Sequence, residues 1–269
     1  MAITALNSAA TGLRALSSRI DVIANNLANA ETTAFKSSRM NFEDLMYQTM
    51  KQPGAQNAAG DLDPAGIQVG LGVKVSNTQL IFDQGSLEST GRQLDVAISG
   101  NGFFRVKVDP SLGDGFAYSR NGDFFQNDQG DLVLGMGDGY KLDPPIQIPQ
   151  NATMINISES GAVQVQIAGQ TAKQTIGQIN LYQFVNPQGL NNLGGALYQQ
   201  TDASGQPIES KPNSDGAGKL EQNFLESSNV DPVKELVTLI KTQRSFELNS
   251  QAIQTADQAL QTIGNLRRS

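Results

Sequence analysis

A seven-residue apolar repeat occurs at each end of this chain, and it constrains the possible folds more than any other feature. From Ile3 to Leu27, apolar or small residues recur at alternating three- and four-residue steps: Ile3, Leu6, Ala10, Leu13, Ser17, Ile20, Ala24 and Leu27. That spacing draws one stripe along one side of a helix. Thr4 is a candidate cap and no proline interrupts the run before Thr32 and Thr33, so the pattern predicts a helix roughly 35–40 Å long. Near the carboxyl end, Asp231 is placed to cap a helix opened by Pro232, whose missing N–H costs nothing at that position. Leu239, Phe246, Ile253 and Leu260 then recur every seven residues. Thr242, Asn249, Ala256 and Ile263 fill the intervening seam positions, and Gly264 marks the expected end.

Either stripe is open to a plain reading, a surface helix packed on its own domain. Three points weigh against it: the stripes sit at opposite ends, both are heptad in character, and each borders a turn-rich region that needs no helix to close it. A handful of seam residues at about 1.5–3 kcal/mol each barely offsets an ordering cost of about 1–2 kcal/mol per residue. Further copies of the chain would supply the missing surface. The expectation is of ends that are disordered in a monomer and helical in a polymer.

Between the stripes the periodicity changes. Alternation or short apolar runs predict strands over 69–82, 94–108, 116–125, 132–134, 154–157, 162–167 and 176–184, with Asn121-Gly122 and Gln129-Gly130 as turn dipeptides. With 27 glycines and 10 prolines the centre reads as β-rich. The predicted fold class is α+β: paired N- and C-terminal coiled-coil-like helices with an inserted, mainly antiparallel β domain. Residues 52–66 and 199–218, rich in Gly, Pro, Ser and Asp, read as exposed loops or hinges.

The composition removes several kinds of chemistry. Without histidine or cysteine, no Ser-His-Asp or Cys-His site and no disulfide can form. A net charge of −7, from 19 basic and 26 acidic residues, with no basic patch, argues against nucleic acid as a partner. Asp123, Asp128, Asp131, Asp138 and Asp143 fall in one turn-rich region and leave a carboxylate glycosidase, or a cell-wall carbohydrate-binding β protein, as alternatives. Solvated turn residues are the simpler reading of these aspartates. No EF-hand order of ligands is present, and Gly135, Gly137 and Gly139 lack the Gly-Lys-Ser/Thr of a phosphate loop, so neither metal nor cofactor is expected. No run reaches the roughly 20 apolar residues of a membrane span, and the first twenty residues lack the pattern of a cleaved leader.

The run ANNLANAETTAFKSSR, Ala24 to Arg39, resembles the amino-terminal signature of flagellar rod and hook proteins, with its core in Asn25, Asn26, Leu27, Ala28 and Asn29, followed by Thr32, Thr33, Phe35 and Lys36. RQLDVAISGNGFFRV, Arg92 to Val106, is similar to the first strands of that family's β domain, and Ser227 to Leu266 to its carboxy-terminal helix. Tyr47-Gln48-Thr49, then Gln52-Pro53-Gly54-Ala55-Gln56 and Gly66-Ile67-Gln68-Val69-Gly70, resemble the insertion of the rod branch, which the hook lacks, and are most similar to its distal member, with the proximal member as the alternative. The resemblance implies a non-catalytic subunit of a straight helical polymer, with paired terminal helices inside and the β domain as outer wall. It implies a division into an N-terminal polymerisation helix (1–36), a rod-type connector (37–80), a β-rich outer domain (81–226) and a C-terminal polymerisation helix (227–269). The implied subunit interface comprises Ile3, Leu6, Leu13, Ile20, Asn25, Asn26, Leu27, Asn29, Leu239, Phe246, Asn249, Ile253, Leu260 and Ile263, and the insertion is marked by Tyr47, Gln52, Pro53, Gly54 and Ile67. Implied partners are further copies of the chain, neighbouring rod and hook proteins, the surrounding basal-body rings and the flagellar type III export apparatus, which would carry the chain without a cleaved signal to a rod crossing the periplasm.

Overall fold

The computed structural model describes residues 2–54, 64–109, 114–135, 139–169 and 172–266, the side chains of residues 2, 3, 263, 265 and 266 excepted. The chain divides into two compact units: Met1–Ala28, Ser38–Gln79 and Asp231–Ser269 in unit 1, and Asn29–Ser37 with Leu80–Val230 in unit 2.

Unit 1 contains α1 (Ala2–Ala28), β1 (Ser38–Asp44), β2 (Tyr47–Lys51), β3 (Ile67–Gly70), β4 (Val73–Leu80) and α2 (Pro232–Leu266). Asp231 caps α2 as expected, its Oδ1 accepting from the N–H groups of Val233 at 3.1 Å and Lys234 at 3.2 Å. Those bonds, the Lys234 one foremost, hold its carboxyl below the usual aspartate range. Both helices run past their expected ends. α1 starts at Ala2, ahead of Thr4, and α2 continues to Leu266 because Gly264 does not take the left-handed backbone that would stop it. β1 pairs with β4, and β2 with β3 as an antiparallel hairpin in which Tyr47 faces Gly70 and Lys51 faces Ile67. Gly72, at φ +118°, brings the start of β4 onto α1: an added Cβ would collide with Thr11 Oγ1, which itself accepts the Val73 N–H at 3.3 Å.

Unit 2 is the β domain. Its strands are β5 (Leu87–Ser89), β6 (Val96–Ser99), β7 (Phe104–Lys107), β8 (Phe116–Ser119), β9 (Phe124–Gln126), β10 (Leu132–Leu134), β11 (Lys141–Asp143), β12 (Ala152–Ile157), β13 (Ala162–Ile167), β14 (Lys173–Gln178), β15 (Leu181–Gln183), β16 (Asn191–Gly194), β17 (Leu197–Gln199), β18 (Ile208–Ser210), β19 (Lys219–Gln222) and β20 (Phe224–Glu226). A sheet in the order β16-β17-β8-β7-β11-β10-β9 forms the body, beside β12-β13-β14 and the pairs β15-β18, β19-β6 and β20-β5. Pairing within the unit is antiparallel throughout the described strands.

Val96, Ile98, Phe104, Val106, Phe124, Leu132, Leu134, Leu142, Val163, Val165 and Leu181 close the main core of this unit. A second, aromatic cluster joins Phe103, Tyr118, Tyr182, Phe184 and Tyr198 through edge-to-face contacts, such as Tyr118 on Phe184 at 4.7 Å and 88°. The turn at Gln129-Gly130 is as expected, with Gly130 at φ +87°, whereas Gly122 has no room for a side chain because it lies against the carbonyl of Val96. The stretch 199–218, expected to be exposed loop or hinge, is mostly loop and exposed at many positions, but it is pinned at several points. Thr201 Oγ1 donates to Gly189 O at 2.6 Å, Ser204 is fully buried, and β18 joins β15. Polar side chains that bond their own loop take the place of apolar anchors there.

Candidate assembly surface

α1 and α2 lie against each other within unit 1. At one level Gly12 leaves so little space that a Cβ there would stand 3.2 Å from Asn249 Nδ2. At another, Asn26, 1% exposed, donates to Glu235 Oε1 at 3.2 Å and to Ser38 O at 2.9 Å while accepting the Ser38 N–H at 2.9 Å. One buried amide therefore fixes the chain as it leaves α1 for β1 and ties both to the first turn of α2.

The seam of α2 is visible in burial. Glu235, Leu239, Thr242, Asn249, Ile253, Ala256 and Leu260 are buried or half-buried, and Phe246 stands at its margin, 36% exposed. On α1 the most buried side chains are Ala15, Ile23 and Asn26. The expected stripe runs beside that face: Leu6, Leu13, Ile20 and Leu27 are half-buried, while Ser17, Ala24 and Asn25 are exposed. Asn29 is half-buried and belongs to unit 2, where its Oδ1 accepts from Thr32 Oγ1 at 3.2 Å. The side chains of Ile3 and Ile263 lie outside the described residues.

A second stripe on α2 escaped the heptad reading. Val233, Leu236, Val237, Ile240 and Leu248 are 70%, 45%, 46%, 52% and 66% exposed. At about 100° per residue these positions fall on the side of the helix opposite the α1-facing seam. The hairpin β2–β3 is open as well, with Met46 82%, Tyr47 55%, Met50 60% and Ile67 54% exposed; Gln52, Pro53 and Gly54 are also exposed, and residues 55–63 lie outside the described part. Scattered apolar side chains at a surface need no explanation, but an aligned row does.

The aspartates that left room for a hydrolase do not converge. Asp123 pairs with Arg92 at 2.7 Å, Asp131 with Lys141 at 2.6 Å and Asp143 with Arg105, while Asp128 is an exposed turn residue and Asp138 lies outside the described residues. Burial weakens Asp123 as an acid despite Arg92, with Asp95 adding to the effect, whereas the Lys141 hydrogen bond keeps Asp131 below the usual range. Among the described residues no acidic cluster is arranged to hold a metal ion.

Sequence reasoning also missed a buried ionic cluster in unit 2. Lys36 and Glu226 have fully buried side chains with Nζ 2.6 Å from Oε1, and Arg120 Nε donates to Glu226 Oε2 at 2.8 Å. Glu226 Oε1 also accepts the Gly85 N–H at 2.9 Å, and Lys36 Nζ donates to Asp83 O at 2.8 Å. Burial pulls the Lys36 ammonium below its usual range, partly offset by Glu226. Burial would raise the Glu226 carboxyl, but Arg120 and Lys36 together hold it below the ordinary value. The three residues are 84 and 106 positions apart in sequence, so no spacing rule links them.

The family model described as "Flagella basal body rod protein" matches residues 6–36, "Flagellar hook protein FlgE/F/G D1 domain" matches 97–165, and "Flagellar basal body rod FlgEFG protein C-terminal" matches 221–266. The chain is 48% identical to the flagellar basal-body rod protein FlgG of Buchnera aphidicola subsp. Schizaphis graminum, over 95% of this chain and 96% of the relative. It is 46% identical to FlgG of Caulobacter vibrioides over 98% and 99%, and 44% identical to FlgG of Borreliella burgdorferi over 98% of each. With relatives this similar over nearly their whole length, the chain belongs to the flagellar basal-body rod protein family.

Proposed function

We propose that this chain is the structural subunit of the distal rod, self-assembling into a straight, hollow helical shaft that transmits torque and lets exported proteins pass. In this reading it catalyses nothing. α1 and α2 act as a coiled-coil-like pair, residues 1–36 and 227–269 as polymerisation arms, 37–80 as the rod-specific connector and 81–226 as the β domain. The observation that carries the proposal is the pair of opposed apolar rows on α2. One row is taken up by α1 inside the chain, and the other is left for a neighbour. A helix apolar on opposite sides needs two partners.

Leu6, Leu13, Ile20, Leu27 and Asn25 on α1 are assigned to the subunit interface as well, and Leu239, Phe246, Ile253 and Leu260, on the α1-facing side of α2, hold together the helix pair that presents it. Asn26, Asn29 and Asn249 set stagger rather than adhesion, because a placed amide rejects alternative registers more sharply than a leucine does. The hairpin bearing Tyr47 and Ile67 is assigned to closing gaps between subunits. Proposed partners are further copies of the chain, neighbouring rod and hook proteins, the surrounding rings and the type III export apparatus that delivers it across the periplasm without a cleaved signal.

Sedimentation and negative-stain microscopy of purified protein test the reading. Wild type is expected to form filaments, and Leu13→Asp and Phe246→Asp to remain monomeric with the β domain folded. Normal filaments from both variants would defeat it.

A further inference from the structure

Residues 29–37, which follow α1 in the sequence, run through unit 2 as a strap. Much of what holds the strap lies in four residues almost two hundred positions later. Ala34 N–H donates to Glu226 O at 2.7 Å, Ser37 N–H to Asn229 Oδ1 at 2.8 Å, and Asn229 N–H to Phe35 O at 3.3 Å. Ala34, fully buried with φ +57°, has no side-chain grip of its own. Asn229 in turn donates to Ile81 O at 2.8 Å and Asp83 O at 3.0 Å. The ionic contact is Lys36 on Glu226, at 2.6 Å with both side chains wholly buried.

We infer that Glu226 is a closure lock within unit 2: its carboxylate permits the strap to seat, so residues 29–37 are not held until the segment 226–229 is in place. The dependence is uneven. Without the strap, Glu226 still has Arg120 and the Gly85 N–H. Without Glu226, a seated strap buries the Lys36 ammonium with Asp83 O as its remaining acceptor, the weaker pull of the Asp83 carboxylate and the cationic Arg120 beside it, and a buried charge that loses its contacting counter-ion is costly. Replacing such a cluster with apolar groups of similar volume is often neutral in stability, so its use lies in specifying order and register. Local opening of such a strap is a sub-global event, readable without unfolding the core.

Hydrogen exchange on the full-length chain, comparing the amides of Ala34 and Ser37 with those of β6 and β7, tests the lock. Glu226→Gln is expected to speed exchange at the strap by about tenfold or more, on the scale of one lost charge-assisted hydrogen bond, while β6 and β7 stay protected. Adding Lys36→Met to Glu226→Gln is expected to restore strap protection, because the ammonium that required the carboxylate is gone. If Glu226→Gln alone strips protection from β6 and β7 too, the comparison moves to Lys36→Met against Lys36→Met with Glu226→Gln. Equal strap protection in those two sustains the lock, and a loss of about tenfold on removing the carboxylate there overturns it. A strap equally protected in Glu226→Gln and wild type, or a double variant no better than the single, overturns it as well.

Discussion

Unit 2 buries what it needs, and unit 1 does not. The β domain closes over Val96, Ile98, Phe104, Val106, Phe124, Leu132, Leu134, Leu142 and Leu181, each 1% exposed or less, and adds an aromatic cluster beside them. Within unit 1, Ala15 and Ile23 are the buried apolar side chains among the described residues, while Met46, Tyr47, Met50, Ile67, Val233, Val237, Ile240 and Leu248 stand in the open. The same chain thus contains one region with a large internal core, from which Phe125, Met154, Val185 and Ile208 are left out at the surface, and another in which exposed apolar groups far outnumber the buried ones. Stability belongs to the first region, and association to the second.

Removing a core side chain from unit 2 should have the largest effect. Phe104 is wholly buried and meets Phe124 edge to face at 5.2 Å. Phe104→Ala is expected to lower unit 2 stability by about 3–5 kcal/mol, through lost transfer energy and an unfilled cavity. Urea titration followed by exchange at β6 and β7 measures it. If α2 amides lose protection at the same urea concentration, the two units melt as one and the contrast between them fails.

Acid should act next, and on unit 2 first. Glu226 is held below the ordinary carboxylate value, so it contributes stability that is fully present above the unfolded glutamate range, near about 4.3, and disappears as pH falls through its lower folded value. Lys36 is shifted down by burial; its charged form is a penalty on the folded state that is relieved as pH rises, so it does not open an acid window. Strap protection at Ala34 and Ser37 is therefore expected to persist at pH 5 and to decline only below the usual carboxylate range. A decline centred above pH 5 would contradict the depressed Glu226.

A smaller effect should distinguish close approach from core packing within unit 1. Gly72 has φ +118°, and a Cβ there would strike Thr11 Oγ1. Gly72→Ala is expected to cost about 1–3 kcal/mol through backbone strain and the forced shift of α1, visible as faster exchange around Ser8 and Thr11 with β6 unaffected. No change would mean that the loop before β4 relaxes freely.

How much of this was legible in the sequence follows from the range of each interaction. Local rules found both helices, the Asp231 cap, the Gly130 turn and most strands, because a cap or an alternation is written in adjacent residues. On α2 the heptad positions Leu239, Thr242, Asn249 and Ile253 are buried or half-buried. On α1 the same heptad rule selected Leu6, Leu13 and Ile20, but the deepest side is Ala15, Ile23 and Asn26. A small residue and an amide carry no apolar signal, although small size is what lets α2 approach at Gly12. The Lys36, Arg120 and Glu226 cluster was beyond reach for a different reason: a lysine beside Phe35 reads as solvated until the fold brings its partners to it.

The smallest expected change in stability tests the contrast most directly. Ile240 is 52% exposed and lies on the outward row of α2 with Val233, Leu236 and Val237. In an isolated subunit its side chain is already largely in water, so Ile240→Ser removes little that the fold uses, and stability should move by less than about 0.5 kcal/mol. In a polymer the same side chain is buried against a neighbour, and its loss recurs at every subunit along the lattice. Covering a half-exposed isoleucine is worth on the order of 1 kcal/mol per contact, enough to raise the concentration needed for assembly about fivefold. Val237→Ser should behave alike. Sedimentation across a concentration series, paired with thermal melts of the monomer, reads the two quantities separately. If Ile240→Ser lowers the melting temperature and spares assembly, the outward row belongs to the fold of the single chain, and the division of labour between the two units is wrong.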